Sequence, residues 1–444
     1  MIYFLFFLFS ITLVSTHEIK NLPGLDYELN FKQYAGFLNV QNSERLFYWF
    51  VESQKDVTKD PLIFWFNGGP GCSSLAGLLE EHGPFLINND AQTVRKNEYS
   101  WNKLASVVYL EAPLGVGFSQ TKNASYKFND DDTASRNYEA IKQFLTIYPQ
   151  FRLNDIYLAG ESYAGVYVPM LAGRIIDGQK EFQMNLKGLV IGNGFVSLRL
   201  SLETSLVYAY THGMVDEDKF NRLVDNCCDG TIEDCDFFKG NNTDCQEIIN
   251  HGLELPYPEL NLYDINEECE DNSWIYTIVH GYKTRSTHKG CIDFHENSEI
   301  YLNRQDVWEA LQIPSDYNRW KMCNDEYLEY EKEDYPFTKN EMDDLVKKAA
   351  QNGVRTLLFY GDADLVCNFM MGQTFAGRLG LKEIEPYRPW LFDGIVAGFR
   401  IDYSNLTYLT VREGGHSSAV THPKEMFDVI EDFLKERIPP VNVL

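Results

Sequence analysis

Short apolar runs bounded by Gly, Pro, Asp and Asn recur along this chain, and stretches of helical period separate several of them. Tyr34 to Val40, Leu46 to Glu52, Pro61 to Phe66, Val107 to Glu111, Ile156 to Ala159, Leu186 to Ile191, Val354 to Tyr360 and Leu406 to Val411 read as strands. Asp130 to Tyr148 reads as a helix opened by an Asp cluster and stopped before Pro149. Further helices are expected over Val166 to Ile176, from near Phe369, and over Lys424 to Lys435. Apolar strands alternating with helices predict a mostly parallel sheet covered on both faces. From about Phe195 to about Pro314 the alternation lapses, so an insertion splits one large core. The expected organisation is a signal peptide at 1–16, core at 17–195, a cap insertion at 196–314 and core again at 315–444.

Composition narrows the setting. Ile2 to Val14 is an apolar run of signal-peptide length, broken only by Ser10 and Thr12, and Ser15 and Thr16 offer a cleavage region. No later segment reads as long and apolar enough to cross a bilayer, so a soluble protein of the secretory route is expected, with lysosome or cell exterior as its destination. Nine cysteines fit that route, eight able to pair and one left over. Cys227, Cys228, Cys235, Cys245, Cys269 and Cys291 fall in the insertion, which reads as disulfide-stapled. Their spacing does not match zinc-ligand pairs, so no metal is expected, nor any other cofactor. Asn123, Asn241 and Asn405 lie in Asn-x-Ser/Thr sequons and are candidate glycosylation sites. A formal net charge of -26 disfavours nucleic acid and anionic membranes as partners, and in an acidic compartment it would be partly neutralised.

The candidate chemistry sits at strand ends. Gly160-Glu161-Ser162-Tyr163-Ala164-Gly165 follows the strand at Ile156 and precedes the helix from Val166, the arrangement of a nucleophile elbow. Asp362 and Asp364 follow the strand ending at Tyr360, and Gly414-Gly415-His416 follows the one ending at Val411. Ser, Asp and His in that order at the carboxyl ends of strands is the layout of an α/β-hydrolase sheet. Asn67-Gly68-Gly69-Pro70-Gly71, after the strand Pro61 to Phe66, supplies a glycine loop able to bring backbone N–H groups to a reacting carbonyl. A phosphate cradle is disfavoured there, since no Gly-Lys-Ser/Thr follows.

Five longer motifs resemble the serine carboxypeptidases: Trp65 to Ser74, Glu81 to Phe85, Gly115 to Ser119, Gly160 to Gly165, and Gly361 to Asn368. The likeness runs from about Pro23 to the C-terminus and leans toward the lysosomal members, through the Cys227-Cys228 pair and Cys367 to Met370. It implies Ser162 as nucleophile, His416 as general base and then acid, and Asp364 as the group orienting the imidazole. Gly69 and Tyr163 would supply the oxyanion donors. Asn67, the Gly68 N–H and Glu161 would bind the α-carboxylate of a peptide with a free C-terminus, with Glu81 supporting Glu161. A carboxyl beside another and facing an anion has its charged form disfavoured, so the pair is expected to share a proton and to favour acid.

The resemblance also implies the disulfides Cys72 to Cys323, Cys227 to Cys245, Cys228 to Cys235 and Cys269 to Cys291, leaving Cys367 as a free thiol at the specificity pocket and the expected mercurial-sensitive position. Relatives often dimerise, and lysosomal members also protect glycosidases, so a homodimer and a glycosidase partner stay open. The chain departs from the family after His416, where Ser417-Ser418-Ala419 replaces Met-Val-Pro. Ser417 is expected to make the pocket for the departing residue roomier and more polar. Ala76 stands where close lysosomal relatives carry Asp. Two other readings use the same residues: a catalytically weak binding partner, and an acyltransferase or esterase.

Overall fold

The computed structural model describes residues 16–41, 44–121, 128–228, 230–231, 243, 245, 260–267, 294–324 and 341–436. An 11-stranded sheet organises them, in the order β1-β2-β3-β7-β4-β8-β9-β10-β13-β12-β11. These strands are β1 Thr16–Glu18, β2 Gln33–Asn39, β3 Arg45–Val51, β4 Leu62–Phe66, β7 Ser106–Leu110, β8 Ile156–Glu161, β9 Leu186–Gly192, β10 Arg355–Gly361, β11 Glu383–Phe392, β12 Ile395–Tyr403 and β13 Leu406–Val411. Phe85–Ile87 and Val94–Lys96, β5 and β6, pair apart from it. The run β7-β4-β8-β9-β10-β13 is parallel throughout. Antiparallel strands flank it on both sides.

The central strands are buried on both faces, which is why they read as unbroken apolar runs. Along β3, Leu46, Tyr48 and Phe50 join one hydrophobic cluster, while Phe47, Trp49 and Val51 join the other. Along β4, Leu62, Phe64 and Phe66 alternate with Ile63 and Trp65 in the same sense. The first cluster is closed by α1, Asp130–Ile147, and α2, Ala164–Gly178. Helix α1 is capped by Asn129, whose side chain accepts from the Asp132 N–H at 2.8 Å, and Asp130, Asp131 and Asp132 complement its dipole. The second cluster takes in Tyr301, Leu302, Val307 and Leu311, so part of the stretch expected to form the insertion packs directly against the sheet.

The β11–β12 hairpin was not expected. Its Asp393-Gly394 turn has φ of 49° and 78°, suited to a tight hairpin. Pro386 and Pro389 argue against a strand in the sequence, yet they fit β11 because it lies at the sheet edge, where ladder donors are dispensable. Cys72 is joined to Cys323 and Cys227 to Cys245. Cys228 is also disulfide-bonded. Cys235, Cys269 and Cys291, the sequons at Asn123 and Asn241, and the signal-peptide residues before Thr16 lie outside the described residues.

Candidate active site

The chain turns sharply at the end of β8, and Ser162 takes a left-handed φ of 62°. The turn is held on both sides. Ser162 N–H donates to Gly192 O at 3.1 Å, and Ser162 O accepts from Gly165 N–H at 2.9 Å and Phe195 N–H at 2.8 Å. Gly160 is required for tightness, since a Cβ there would lie 2.5 Å from both Ala164 Cβ and Phe66 O. Ser162 remains partly exposed at the head of α2.

Asp364, after β10, is fully buried, and four donors converge on its carboxylate. Oδ2 accepts from His416 Nδ1 at 2.6 Å, Asn193 Nδ2 at 2.9 Å and Cys367 N–H at 3.2 Å, and Oδ1 accepts from Val366 N–H at 2.9 Å. The contact of Nδ1 with Asp364 leaves Nε2 as the His416 ring nitrogen not engaged by that carboxyl group. Asn193, which sequence reasoning missed, has φ of 38°, and its Oδ1 accepts from Gly361 N–H at 3.0 Å. It thereby ties the end of β9 to the end of β10 and to Asp364 beyond it. The available signal was an Asn between two glycines at a strand end, where Asn tolerates the left-handed region.

A segment of the insertion crosses both loops. Leu365 N–H donates to Leu262 O at 3.0 Å, Ile265 N–H to Ala363 O at 2.9 Å, and His416 N–H to Tyr263 O at 2.7 Å. The Tyr263 ring meets the imidazole edge-on, 4.8 Å between centroids. No local pattern announces this contact, because it joins positions far apart in sequence.

The glycine loop after β4 lies against the elbow. A Cβ on Gly68 would fall 2.4 Å from Tyr163 N and 2.7 Å from Ser162 Cβ, so only glycine allows the loop so near Ser162. Gly69 follows with φ of 114°. Cys72, joined to Cys323, anchors the loop, and Cys72 N–H donates to Gly68 O at 3.0 Å.

Beside this loop Asn67, Glu81 and Glu161 are all buried. Asn67 Nδ2 donates to Glu81 Oε1 at 2.8 Å, while Asn67 Oδ1 accepts from Trp65 Nε1 at 2.7 Å and Gly77 N–H at 3.1 Å. Burial pushes the Glu161 carboxyl well above the usual carboxylate range, the negative charge of Glu81 pushes further, and a hydrogen bond from Ser417 opposes them. That bond, Ser417 Oγ to Glu161 Oε1 at 2.9 Å, places Ser417 on the carboxyl group itself, a contact the sequence reading did not contain. Cys367 is a buried free thiol, pushed up first by burial and then by the charges of Asp364 and Glu161. Asn405 is exposed at the β12–β13 turn, with Nδ2 donating to Ala350 O at 3.0 Å. Among the described residues no group of three or more His, Cys, Asp or Glu is arranged to hold a metal ion, and no helix is long and apolar enough to cross a membrane.

A strained serine at a strand-to-helix elbow, a buried Asp–His pair at the next strand ends and a glycine loop against the serine define a serine hydrolase of the α/β-hydrolase class. Residues 23–436 match the family model described as serine carboxypeptidase. A serine carboxypeptidase of Caenorhabditis elegans is 34% identical over 454 residues, covering 97% of this chain and 95% of that protein. The lysosomal protective protein of Mus musculus is 35% identical over 457 residues, with 94% of each chain covered. A solved prohormone-processing carboxypeptidase of Saccharomyces cerevisiae superposes with a TM-score of 0.74 at 23% identity, over 94% of each chain, a likeness of fold. The chain belongs to the serine carboxypeptidase family.

Proposed function

We propose that this chain releases residues one at a time from the C-terminus of peptides, most effectively in acid. The observation that carries this reading is the buried Glu161, adjacent in sequence to Ser162 and close enough to Glu81 for its charge to be felt. A protonated carboxyl is a hydrogen-bond donor, so Glu161 together with Asn67 and the Gly68 N–H can hold a substrate α-carboxylate beside the nucleophile. His416 Nε2 takes the Ser162 proton as Oγ attacks the scissile carbonyl. The N–H groups of Gly69 and Tyr163 receive the developing oxyanion. His416 then protonates the departing amine, and water, activated by the same imidazole, hydrolyses the acyl-enzyme.

The substrates are thus peptides with a free C-terminus. The acidic composition, the disulfides and the relatives' names support a secretory-route enzyme of the lysosome or cell exterior, with Asn405 an exposed candidate for glycosylation.

Turnover of an N-blocked apolar dipeptide, with Ser162→Ala as control, tests the reading. Ser162-dependent release that is strongest in acid is expected, whereas the C-terminal amide of the same peptide keeps reacting at higher pH. Folded protein that turns over neither substrate would contradict the enzyme reading and favour a role as a binding partner. Equal pH profiles for acid and amide would contradict the role of Glu161.

A further inference from the structure

Ser417 is the residue directly after the triad base, and its hydroxyl bonds the carboxyl assigned to substrate recognition, at 2.9 Å. The two sites therefore meet at one side chain. The groups acting on Glu161 come from several elements. Glu81 contributes negative charge from the Gly77–Glu81 turn of helix, Asp364 from the loop after β10, and the Cys367 thiol lies within electrostatic reach from the same loop. His416 adjoins Ser417 and is bonded to Asp364. Burial and both carboxylates favour a protonated Glu161; the Ser417 hydroxyl alone among these favours the anion. A hydroxyl can bond either form, but a charged acceptor makes the stronger bond, so the net action is to ease loss of the proton.

Resting on the carboxypeptidase reading above, we propose that Ser417 is a positioning residue that acts through Glu161 to set the upper pH limit at which substrates with a free carboxylate are accepted. The hydroxyl draws that limit down toward acid. Its removal leaves Glu161 to burial and to its negative neighbours, and the group keeps its proton to higher pH.

The test is kcat/KM across pH for an N-blocked dipeptide acid and for its C-terminal amide, with wild type, Ser417→Ala and Ser417→Thr. In Ser417→Ala the midpoint of the alkaline fall with the acid substrate is expected to rise by about one pH unit, the size of one hydrogen bond to an ionised group. Ser417→Thr, which retains the hydroxyl, is expected to restore the wild-type midpoint. The midpoint with the amide is expected to stay in place in both variants. An unmoved midpoint in Ser417→Ala would overturn the proposal, as would an equal rise with acid and amide, which would place the effect on a group that serves both substrates rather than on carboxylate recognition. Should Ser417→Ala not fold, Ser417→Cys, a weak donor, is expected to shift the midpoint in the same direction. A wild type that hydrolyses neither substrate would overturn the carboxypeptidase reading itself and this proposal with it, an outcome visible before any variant is compared.

Discussion

Asp364 and Glu161 are two buried carboxyl groups of one active site, set in opposite surroundings. Asp364 receives hydrogen bonds from His416, Asn193 and the backbone of Val366 and Cys367. Glu161 receives one from Ser417 and faces the charge of Glu81 and Asp364. Four donors are aimed at Asp364 and one at Glu161, whose charged form is disfavoured first by burial and then by the charge of Glu81. The lesson is that one fold gives two buried carboxyl groups different surroundings, by backbone turns that converge on Asp364 and not on Glu161, and the roles proposed for them, orienting group and hydrogen-bond donor, rest on that difference.

A third buried carboxyl sharpens the comparison and gives the largest expected effect. Glu111 is fully buried with donors at Ser73 Oγ (2.5 Å), Trp320 Nε1 (2.8 Å) and Phe118 N–H (2.6 Å), yet burial pushes it up to about 7. The fold thus prefers it protonated, and its stabilisation, complete below the ordinary value of 4.5, is lost as pH rises through about 7. That interval corresponds to roughly 3 kcal/mol at most. His82, buried against Trp101, is held down to about 3 by desolvation. The unfolded chain takes up that proton near the ordinary 6.5, so stability is lost as pH falls from there toward 3. Between 4.5 and 6.5 these two contributions run in opposite directions, while Glu161, whose carboxyl is also pushed up, adds to the loss as pH rises, so denaturant unfolding is expected to show stability falling from about 4.5 toward 7. In Glu111→Gln the upper fall is expected to flatten; retention of the full fall would assign it to other groups.

Next in size is the removal of a donor from Asp364. Asn193→Leu takes away one of the four and also the acceptor for Gly361 N–H. A loss of roughly 2 kcal/mol of orientation is expected, about thirtyfold in kcat with KM little changed. A rise in KM at unchanged kcat would instead place Asn193 in substrate binding.

The smallest effect concerns Cys367. Its thiol, pushed up by burial and by both carboxylates, is expected to alkylate with iodoacetamide at neutral pH far more slowly than an exposed cysteine. Fast alkylation of the folded protein would show that the thiolate is accessible. Mercurial inhibition is expected to vanish in Cys367→Ser.

Much of this was legible in the sequence. Strands buried on both faces declare themselves as apolar runs, so β2 to β4, β7 to β10 and β13 fall within a residue or two of their expected spans. The elbow was visible because only small residues fit beside a strained serine. What stayed hidden depends on contacts between distant segments. Asn193 reaches Asp364 across 171 positions, Ser417 reaches Glu161 across 256, and the Leu262 to Ile265 segment becomes part of the site only after folding. The β11–β12 hairpin was hidden for another reason, since edge strands tolerate prolines that central strands exclude.

The central claim is that Glu161 binds the substrate carboxylate as a proton donor, and Glu161→Gln tests it most directly. A glutamine amide donates at every pH, so kcat/KM for a free-acid dipeptide is predicted to lose the alkaline fall seen in wild type and to run parallel to the profile for the amide substrate. A variant whose activity on the acid still falls at the wild-type midpoint would contradict the account.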